Sequence, residues 1–357
     1  MATFTLGALS ALARRPDVEA FGYGLSWRGR SLLREVLPPG VTSGWSVPAA
    51  PLMRLWARSD LVPAEWIMDL DDGVDVVHGT NFVVPPARRA ARVVTVHDLT
   101  PLRYPELCTR TSRRYPGLIR RAIQTGAWVH TPSAYVAAEV CEAFAVEPAR
   151  VRAVHHGVDA PGGEPAMGRA LASSLTGCER YVVALGTVEP RKDLPLLVRA
   201  FDSVAAHRPC LGLVIAGPDG WGAEALDDAV SGAVHRYRIG RTGYVEGEAR
   251  AALVAGAAAF AFPSIYEGFG LPPLEAMAAG VPVVATAAGA VPEVCGDAAA
   301  IVPVGDTEAF ADALASVLDD PGRTGALVAA GRRRAATFSW DACAGGLLDL
   351  YEDAVDG

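Results

Sequence analysis

The most distinctive candidate for chemistry in this sequence is Lys192, the only lysine among 32 basic residues. It follows Arg191 in the segment Gly186-Thr-Val-Glu-Pro-Arg-Lys192, directly after the apolar run 181–185. The pattern places the Arg-Lys pair just beyond a strand and before a helix, at the sheet edge where α/β proteins bind ligands. A compact ammonium charge there suits a phosphate group, so we interpret the pair as anion-binding. The alternative is that a composition rich in Ala, Arg and Gly leaves a few rare residues by chance.

A second candidate is the string Glu267-Gly-Phe-Gly-Leu-Pro-Pro-Leu-Glu275, in which two carboxylates flank a Gly-x-Gly turn. Prolines in the first turn predict a helix that begins just after the glycines. Glycines let the backbone approach a ligand closely, and the free N–H groups of a helix start attract phosphate. Carboxylates accept hydrogen bonds from hydroxyls, so one can bind a ribose and the other a sugar. The alternative is a tight turn and a first-turn glutamate that the helix dipole favours.

Polar residues also follow two predicted strands in the first half of the chain. His97 and Asp98 come directly after 93–96, and Asn81 follows 74–78. A histidine donates or accepts hydrogen bonds near neutral pH, so it could orient a hydroxyl. The residues alone favour a locally satisfied strand-end histidine whose neighbour Asp98 caps the next turn. Asn81 is a candidate for the acceptor side of a site.

The segment Asp69-Leu-Asp-Asp72 superficially resembles a metal-binding Asp-x-Asp motif. It precedes a predicted strand, whereas a metal-binding motif of this kind would end one. We therefore interpret it as a solvated acidic turn, and we predict no metal site.

The second half of the chain alternates short β-type runs with helical ones. This alternation predicts parallel strands joined by crossover helices, which is a Rossmann-like domain. The predicted strands are 181–185, 211–216, 258–262, 281–285 and 299–302, and the predicted helices are 194–206, 224–231, 247–255, 273–279 and 306–318.

The first half repeats the pattern more loosely. A chain of 357 residues is too long for one ordinary core and suits two domains. We place these at 1–160 and 161–338, facing one another across a cleft, with a final helix at 339–357 that packs back on the first domain. The segment 157–177, rich in Gly, Pro and Ser, predicts the linker. The predicted strands of the first half are 18–23, 74–78, 93–96, 128–131 and 152–155.

The chain begins with an apparent helix at 3–13, where a doubly wound domain normally begins with a strand and a glycine-rich turn. The first strand of the first domain is therefore missing from the pattern. We expect the reading frame upstream to encode that strand and turn.

Composition restricts the class of protein further. With 51% hydrophobic and 20% charged residues the chain is globular, and a net charge of −8 argues against a nucleic-acid binder. Six dispersed cysteines are typical of reduced thiols in a cytoplasmic protein. Six arginines between 103 and 121 could contact the anionic inner face of a membrane or a phosphorylated acceptor, although a solvated helix face gives the same pattern.

Taken together, the motifs resemble those of the retaining glycosyltransferases of family 4, which have the GT-B fold. The resemblance covers nearly all of residues 3–355. The amino-acid sequence of residues 97–106 is most similar to that of the mannosyltransferase-type branch. The motifs are His97-Asp-Leu-Thr-Pro101, Thr131-Pro-Ser133, His156-Gly-Val-Asp159, Glu189-Pro-Arg-Lys-Asp-Leu194, Ala216-Gly-Pro218, the Glu267-x7-Glu275 string and Gly280-Val-Pro-Val-Val284.

The resemblance implies a role for each matching residue. Arg191 and Lys192 would hold the donor diphosphate as charge builds on the leaving group. Glu267 would bind hydroxyls of the transferred sugar, Glu275 the ribose, and His97 would face the donor sugar, with Asp98 and Asn81 on the acceptor side. The implied donor-binding residues are Gly243, Tyr244, Val245, Gly268, Phe269, Gly270, Leu271 and Glu275.

The implied activity is transfer of a hexose from a nucleotide-sugar, with GDP-mannose favoured, to a saccharide or lipid-linked acceptor. The departing phosphate would take the acceptor proton, so neither an enzymic nucleophile nor a metal or other cofactor is required. Two alternatives remain open: a nucleotide-sugar epimerase of the same architecture, and a non-catalytic subunit that binds a sugar nucleotide.

Overall fold

The computed structural model describes residues 2–24, 35–39, 41–46, 49–68, 73–159 and 162–357. The chain divides into two compact units, one made of Met1–Gly157 together with Phe338–Gly357 and the other of Val158–Thr337. The acidic turn predicted at 69–72 lies outside the described residues. None of the helices in the described ranges is both long and apolar enough to cross a membrane.

The first unit is built on parallel strands. β3 to β6 form a four-stranded sheet in the order β3-β4-β5-β6, and β1 pairs with β2 in a second, two-stranded sheet. The elements of its first segment are α1 (Ala2–Ala13), β1 (Phe21–Gly24), β2 (Thr42–Ser46), α2 (Ala49–Trp56), α3 (Ala64–Met68), β3 (Val76–Gly79), β4 (Ala91–Thr95), α4 (Thr100–Arg103), α5 (Tyr115–Gln124), β5 (Trp128–Thr131), α6 (Ala134–Phe144) and β6 (Val151–Ala153).

The second unit is a six-stranded parallel sheet with the strand order β12-β11-β10-β7-β8-β9. Its central strands are continuous apolar runs, because a parallel sheet is covered by helices on both faces. Its elements are α7 (Pro165–Thr176), β7 (Arg180–Leu185), α8 (Leu194–Ala205), β8 (Leu211–Ala216), α9 (Ala223–Gly232), β9 (Ile239–Gly243), α10 (Gly247–Ala255), β10 (Ala259–Phe262), α11 (Leu271–Ala278), β11 (Val283–Thr286), α12 (Val291–Cys295), β12 (Ala299–Val302), α13 (Thr307–Asp319) and α14 (Pro321–Ala335).

The chain then returns to the first unit as α15 (Trp340–Asp356), which packs against α1. Trp340 lies in a buried cluster with Phe4 and Leu347. A Cβ atom at Gly7 would overlap the Trp340 ring, so only glycine lets the two helices approach this closely.

The strand order of the second unit decides where a ligand can bind. From β7 the chain builds outward through β8 and β9, then returns to the other side of β7 and continues through β10, β11 and β12. The connection after β7 therefore runs toward β8, and the connection after β10 runs the opposite way, toward β11. Open α/β sheets bind ligands in the crevice that forms at such a switch point, beyond the carboxyl ends of the two strands.

The segment 157–177, where the two domains were predicted to join, is only partly a linker. The units divide between Gly157 and Val158, but most of the segment is α7, which packs against α10 and the sheet. Pro165 begins the helix, and Gly177 ends it in the left-handed conformation at φ 70°. Gly168 inside the helix is a packing residue, since a Cβ there would overlap the carbonyl oxygen of Ala252. The Gly, Pro and Ser content indicated a loop, although the apolar residues recur at helical spacing.

Candidate active site

Residues predicted for chemistry come together at the switch point of the second unit. Arg191 and Lys192 follow β7 on a short 3-10 turn, Pro190–Lys192, and Glu267 lies on the loop after β10. The sequence distance of 75 residues between Lys192 and Glu267 closes to a direct contact. The sequence predicted both groups at strand ends, but the strand order that brings them together comes from the structure.

Glu267 bridges the two cations. Lys192 Nζ lies 2.6 Å from Glu267 Oε1, and Arg191 Nη1 lies 2.7 Å from Glu267 Oε2. The second terminal nitrogen of Arg191 donates to Glu189 Oε1 at 2.6 Å. The side chains of all four residues are between 10% and 16% exposed. The result is a mostly buried cluster of two positive and two negative side chains. The carboxylates hold each cation in a fixed direction.

Backbone contacts hold the two loops against each other. Ile265 N donates to the carbonyl oxygen of Arg191 at 2.8 Å, and Arg191 Nη1 donates to that of Tyr266 at 2.7 Å. Lys192 Nζ also lies 4.6 Å from the centroid of the Phe262 ring, which attracts the ammonium through its negative face. The Arg-Lys pair is thus positioned by the carboxyl end of β10 as well as by its own turn.

Two buried hydroxyls that sequence analysis missed support Glu267. Ser264 Oγ donates to Glu267 Oε1 at 2.7 Å, and Thr286 Oγ1 donates to the Ser264 carbonyl oxygen at 2.5 Å. Ala290 N donates to the carbonyl oxygen of Glu267 at 2.9 Å. A Cβ at Gly289 would overlap the same oxygen. Because Ser264 directly follows the predicted strand 258–262 and Pro263, the strand-end argument applied to His97 could have found it.

Electrostatics keep this carboxylate ionised. Burial raises the pKa of Glu267, but the nearby charges of Arg191 and Lys192 outweigh burial and lower it to about 2. Burial lowers the pKa of Lys192 below its usual 10.5, while Glu267 opposes that shift. The Glu267 carboxylate is therefore ionised at neutral pH and holds both cations beside it.

The Gly-x-Gly turn leads into α11 as predicted. Gly270 has φ 117°, which requires glycine, and the turn from Gly268 to Gly270, including Phe269, is buried. Helix α11 begins at Leu271. Glu275 is its fifth residue and lies past the first turn, so the helix dipole does not account for its position. It forms an ion pair with Arg250 of α10, another residue that sequence analysis missed.

The predicted nucleoside segment lies at the end of β9, a strand that the sequence analysis did not predict. Gly243 ends β9 with φ 68°, and Val245 is half-buried. Tyr244 is 70% exposed, and its hydroxyl donates to Glu246 at 2.9 Å. Only part of this edge strand is buried, so its residues lack the apolar run that marked the other strands.

In the first unit His97 follows β4 and is buried. Its Nε2 lies 2.9 Å from the carbonyl oxygen of Thr80, which can only accept, so Nε2 carries the proton. Burial lowers the pKa of His97 to about 4, which keeps the ring neutral. Asp98 accepts a hydrogen bond from Thr100 N at 2.9 Å, the predicted capping of the next turn, and Asn81 is exposed. Their catalytic and acceptor-side roles remain predictions.

A hydrogen-bonded chain under His97 was not predicted. The carbonyl oxygen of Val154 accepts from His130 Nε2 at 3.1 Å, so His130 Nδ1 must accept from Thr95 Oγ1, at 2.9 Å. Thr95 in turn accepts from His78 Nε2 at 2.7 Å, and His78 Nδ1 accepts from the Tyr351 hydroxyl at 2.7 Å. Because the Val154 carbonyl oxygen can only accept, it determines the position of every proton in this chain of hydrogen bonds. The chain ties α15 to the strands of the first unit with neutral histidines.

We expect these histidines to make folding sensitive to acid. Burial lowers the pKa of His130 to about 3 and places those of His78 and His156 below 6.5. Between the folded and unfolded pKa values the unfolded state binds more protons, so stability is full above pH ~6.5 and falls as pH decreases. Each histidine contributes a slope of up to about 1.4 kcal/mol per pH unit. Urea unfolding over this pH range measures the slope.

The comparison for that measurement is a pair of single variants. His130→Gln should reduce the slope of unfolding free energy against pH by close to one proton, because it removes a buried neutral histidine. His207→Gln, at an exposed position, is the control for the loss of a histidine as such. Equal slopes in both variants would contradict the assignment.

No group of three or more His, Cys, Asp or Glu side chains within the described ranges is arranged to hold a metal ion.

Comparisons with known sequences agree with the two-unit architecture. The family profile described as Glycosyltransferase Family 4 matches residues 1–160, and the profile described as Glycosyl transferases group 1 matches residues 179–320. The chain is 31% identical over 287 residues to the O-antigen chain mannosyltransferase B of Escherichia coli, covering 78% of this chain and 74% of that protein.

Two further relatives are matched over shorter segments. Identity is 32% over 258 residues to the MMP alpha-(1->4)-mannosyltransferase of Mycolicibacterium hassiacum, covering 70% of this chain and 57% of the relative. It is 35% over 240 residues to the D-inositol 3-phosphate glycosyltransferase of Salinispora arenicola, covering 61% of this chain and 53% of the relative. The chain thus spans little more than half the length of these two relatives.

Solved structures share the fold. The Anabaena protein HepE (Alr3699) in complex with UDP and glucose superposes with a TM-score of 0.74 at 18% identity, covering 98% of this chain and 95% of that one. A glycosyltransferase from Rickettsia africae also gives a TM-score of 0.74, at 15% identity, covering 98% of this chain and 94% of that one. The predicted α/β class, with two Rossmann-like units of the GT-B type, is confirmed. The chain belongs to the family 4 glycosyltransferases, enzymes that act on a sugar donor.

Proposed function

We propose that this enzyme transfers mannose from a nucleotide-sugar, with GDP-mannose favoured, to a saccharide or lipid-linked acceptor with retention of anomeric configuration. The observation that carries the proposal is the Arg191–Glu267–Lys192 cluster at the switch point of the second unit. The similarity to two mannosyltransferases supports the choice of sugar. It also supports transfer over the epimerase and the non-catalytic subunit.

The cluster has the charges that this reaction needs. Arg191 and Lys192 would bind the diphosphate of the donor and neutralise the negative charge that develops as the bond from C1 to the phosphate oxygen breaks. Their directions are already fixed by Glu189, Glu267 and Phe262, so little reorganisation is required on binding. The amides of the turn from Gly268 to Gly270 would add neutral donors to the same phosphates.

The remaining roles are part of the same proposal and are supported by the resemblance to the family. Glu267 would accept hydrogen bonds from hydroxyls of the transferred sugar, because its low pKa keeps the carboxylate ionised. Glu275 would accept hydrogen bonds from the ribose hydroxyls. The end of β9 would lie beside the base. His97 would contact the sugar through Nδ1, since Nε2 donates to Thr80. The acceptor oxygen would bond to C1 while its proton passes to the departing phosphate, without metal or other cofactor.

Contact with a membrane is a further part of the proposal. Five of the six predicted arginines between 103 and 121 are exposed, and Arg103 forms ion pairs with Glu139 and Glu142. The other four exposed ones, Arg110, Arg113, Arg114 and Arg120, would let this cytoplasmic enzyme approach an anionic inner membrane face. Sedimentation with vesicles of anionic and neutral lipid tests it, and equal binding to both would contradict it.

The single lysine permits a direct test of the donor site. Lys192 carries the only side-chain amine in the chain, with its side chain 13% exposed. We expect acetylation of Lys192 to slow when a cognate donor binds, about tenfold at a donor concentration roughly ten times Kd, because only donor-free protein reacts. Peptide mass spectrometry after acetylation with GDP-mannose, UDP-glucose or dTDP-rhamnose, without added metal, measures this protection.

The terminal amine of the purified polypeptide is the internal control, since a donor at the switch point should not slow its acetylation. Calorimetric titration with the same three donors gives the affinities independently. The donor that protects is then offered saccharide acceptors and D-inositol 3-phosphate, and the anomeric configuration of any product is read by NMR. Equal acetylation of Lys192 with and without every donor would contradict the proposed function.

A further inference from the structure

An arginine outside all the predicted motifs holds the second glutamate of the Glu-x7-Glu string. Arg250 Nη2 of α10 donates to Glu275 Oε2 of α11, across 25 residues of sequence. The side chains are 34% and 14% exposed, so the pair is partly withdrawn from water. The contact joins the helix that follows β9 to the helix that follows the Gly-x-Gly turn.

Neither partner's position is explained by its own helix. Arg250 is the fourth residue of α10, and a cation near a helix N-terminus is disfavoured by the dipole. Glu275 lies past the first turn of α11, where the dipole no longer favours a carboxylate. Each side chain therefore depends on the other for its charge partner. A partly buried carboxylate without such a partner would be costly.

The pair also lies beside the segment proposed for the base. Arg250 is seven residues beyond Gly243, and its backbone N–H donates to the carbonyl oxygen of Glu246. Glu246 accepts in turn from the Tyr244 hydroxyl. Arg250 thus connects the end of β9 to Glu275, the carboxylate proposed for the ribose.

We propose that Arg250 is a positioning residue of the nucleoside site, which aims the Glu275 carboxylate at the ribose hydroxyls by holding Oε2. This inference rests on the proposed function, because it assumes that Glu275 meets a ribose. A guanidinium has five N–H donors and no acceptor, so Arg250 cannot replace Glu275 as the acceptor for hydroxyls. The proposed effect of Arg250 on binding passes through that carboxylate, and the test distinguishes it from a direct contact of the guanidinium with a phosphate.

The test compares ribose with deoxyribose in free nucleoside diphosphates. Calorimetry gives the affinities of GDP and UDP and of their 2′-deoxy and 3′-deoxy analogues for the unmodified protein, Arg250→Leu and Glu275→Gln. We expect the unmodified protein to prefer the ribose form of the diphosphate it binds by about tenfold to a hundredfold, as for a hydrogen bond to a charged group. Arg250→Leu should lose most of this preference while binding the deoxy analogues as before.

Two variants serve as controls. Arg250→Lys, which keeps the cation, should restore part of the preference. Arg241→Leu removes another arginine of the same unit, one that pairs with Asp219 and Asp227, and should leave the preference unchanged. If Arg250→Leu fails to fold, Arg250→Lys and Glu275→Gln still decide, since both must reduce the preference.

The outcomes separate this inference from the proposed function. A uniform loss of affinity for all diphosphates in Arg250→Leu would mean a phosphate contact or a structural role, and would overturn the inference. An unchanged ribose preference would overturn it as well. If the unmodified protein binds no nucleoside diphosphate, the proposed function falls and this inference with it.

Discussion

Replacing Lys192 by methionine is expected to lower donor affinity and transfer rate by roughly 10²- to 10³-fold, the equivalent of about 3–4 kcal/mol. Methionine keeps much of the apolar stem of lysine, so packing against Phe262 persists while the charge is lost. The diphosphate would then face Arg191 alone. Calorimetry with the cognate donor and the rate of transfer measure the effect.

The same substitution should also change the protein before any donor binds. Glu267 would lose one of two cations, so its pKa would rise from about 2 while it stayed buried. Removing one partner of a buried pair is costly, whereas removing both is much less so. The double variant Lys192→Met with Glu267→Gln should therefore recover thermal stability without recovering donor binding.

Lys192→Arg is the matched control, because it keeps a positive charge and should retain part of the affinity. Normal donor affinity in Lys192→Met would contradict a diphosphate role for this residue. An equal loss of stability in the single and double variants would contradict the charge argument.

Gly217→Ala is expected to destabilise the second unit by about 4 kcal/mol or more. Gly217 follows β8 with φ 154°, and a Cβ there would overlap the carbonyl oxygen of Gly186, on the loop that leads to Arg191. The atoms nearest to such a Cβ all belong to the backbone, so no side chain can move aside. Thermal unfolding and donor titration should both be affected, because the clash displaces the donor loop.

Gly243→Ala provides the control for backbone conformation alone. Gly243 also has a positive φ, 68°, but its surroundings would leave a Cβ in open space. The expected cost is about 1 kcal/mol, that of placing alanine in the left-handed region. If both variants lose the same stability, then the overlap with Gly186 is not what makes Gly217 necessary.

The sequence predicted the elements of the second unit well because most of them are long and apolar. β7, β8 and β10 are buried runs, and the helices between them carry apolar residues at helical spacing. β9 was missed because an edge strand needs few apolar residues. The helix α7 was missed because Gly168, which allows close packing, and Gly177, which ends the helix, look like glycines of a linker.

In the candidate site, too, some residues could be predicted from the sequence and others could not. Arg191, Lys192 and Glu267 stand at strand ends, and this local property is visible in the sequence. Arg250 carries no such mark. Ser264 follows a strand and Thr286 ends one, but their roles depend on which residue of another loop each meets. Their hydrogen bonds to the two glutamates or the backbone nearby are products of tertiary packing.

The first unit is made of two segments that are distant in the sequence, and this affects the order in which the protein can fold during synthesis. The ribosome completes residues 158–337 before it makes the segment Phe338–Gly357 that the first unit requires. Until then the N-terminal segment lacks Trp340 and Leu347 from its core and the Tyr351 hydroxyl from its histidine chain. A nonsense mutation in the codons for residues 338–357 would therefore damage the unit that contains residues 1–157, although those residues are translated much earlier.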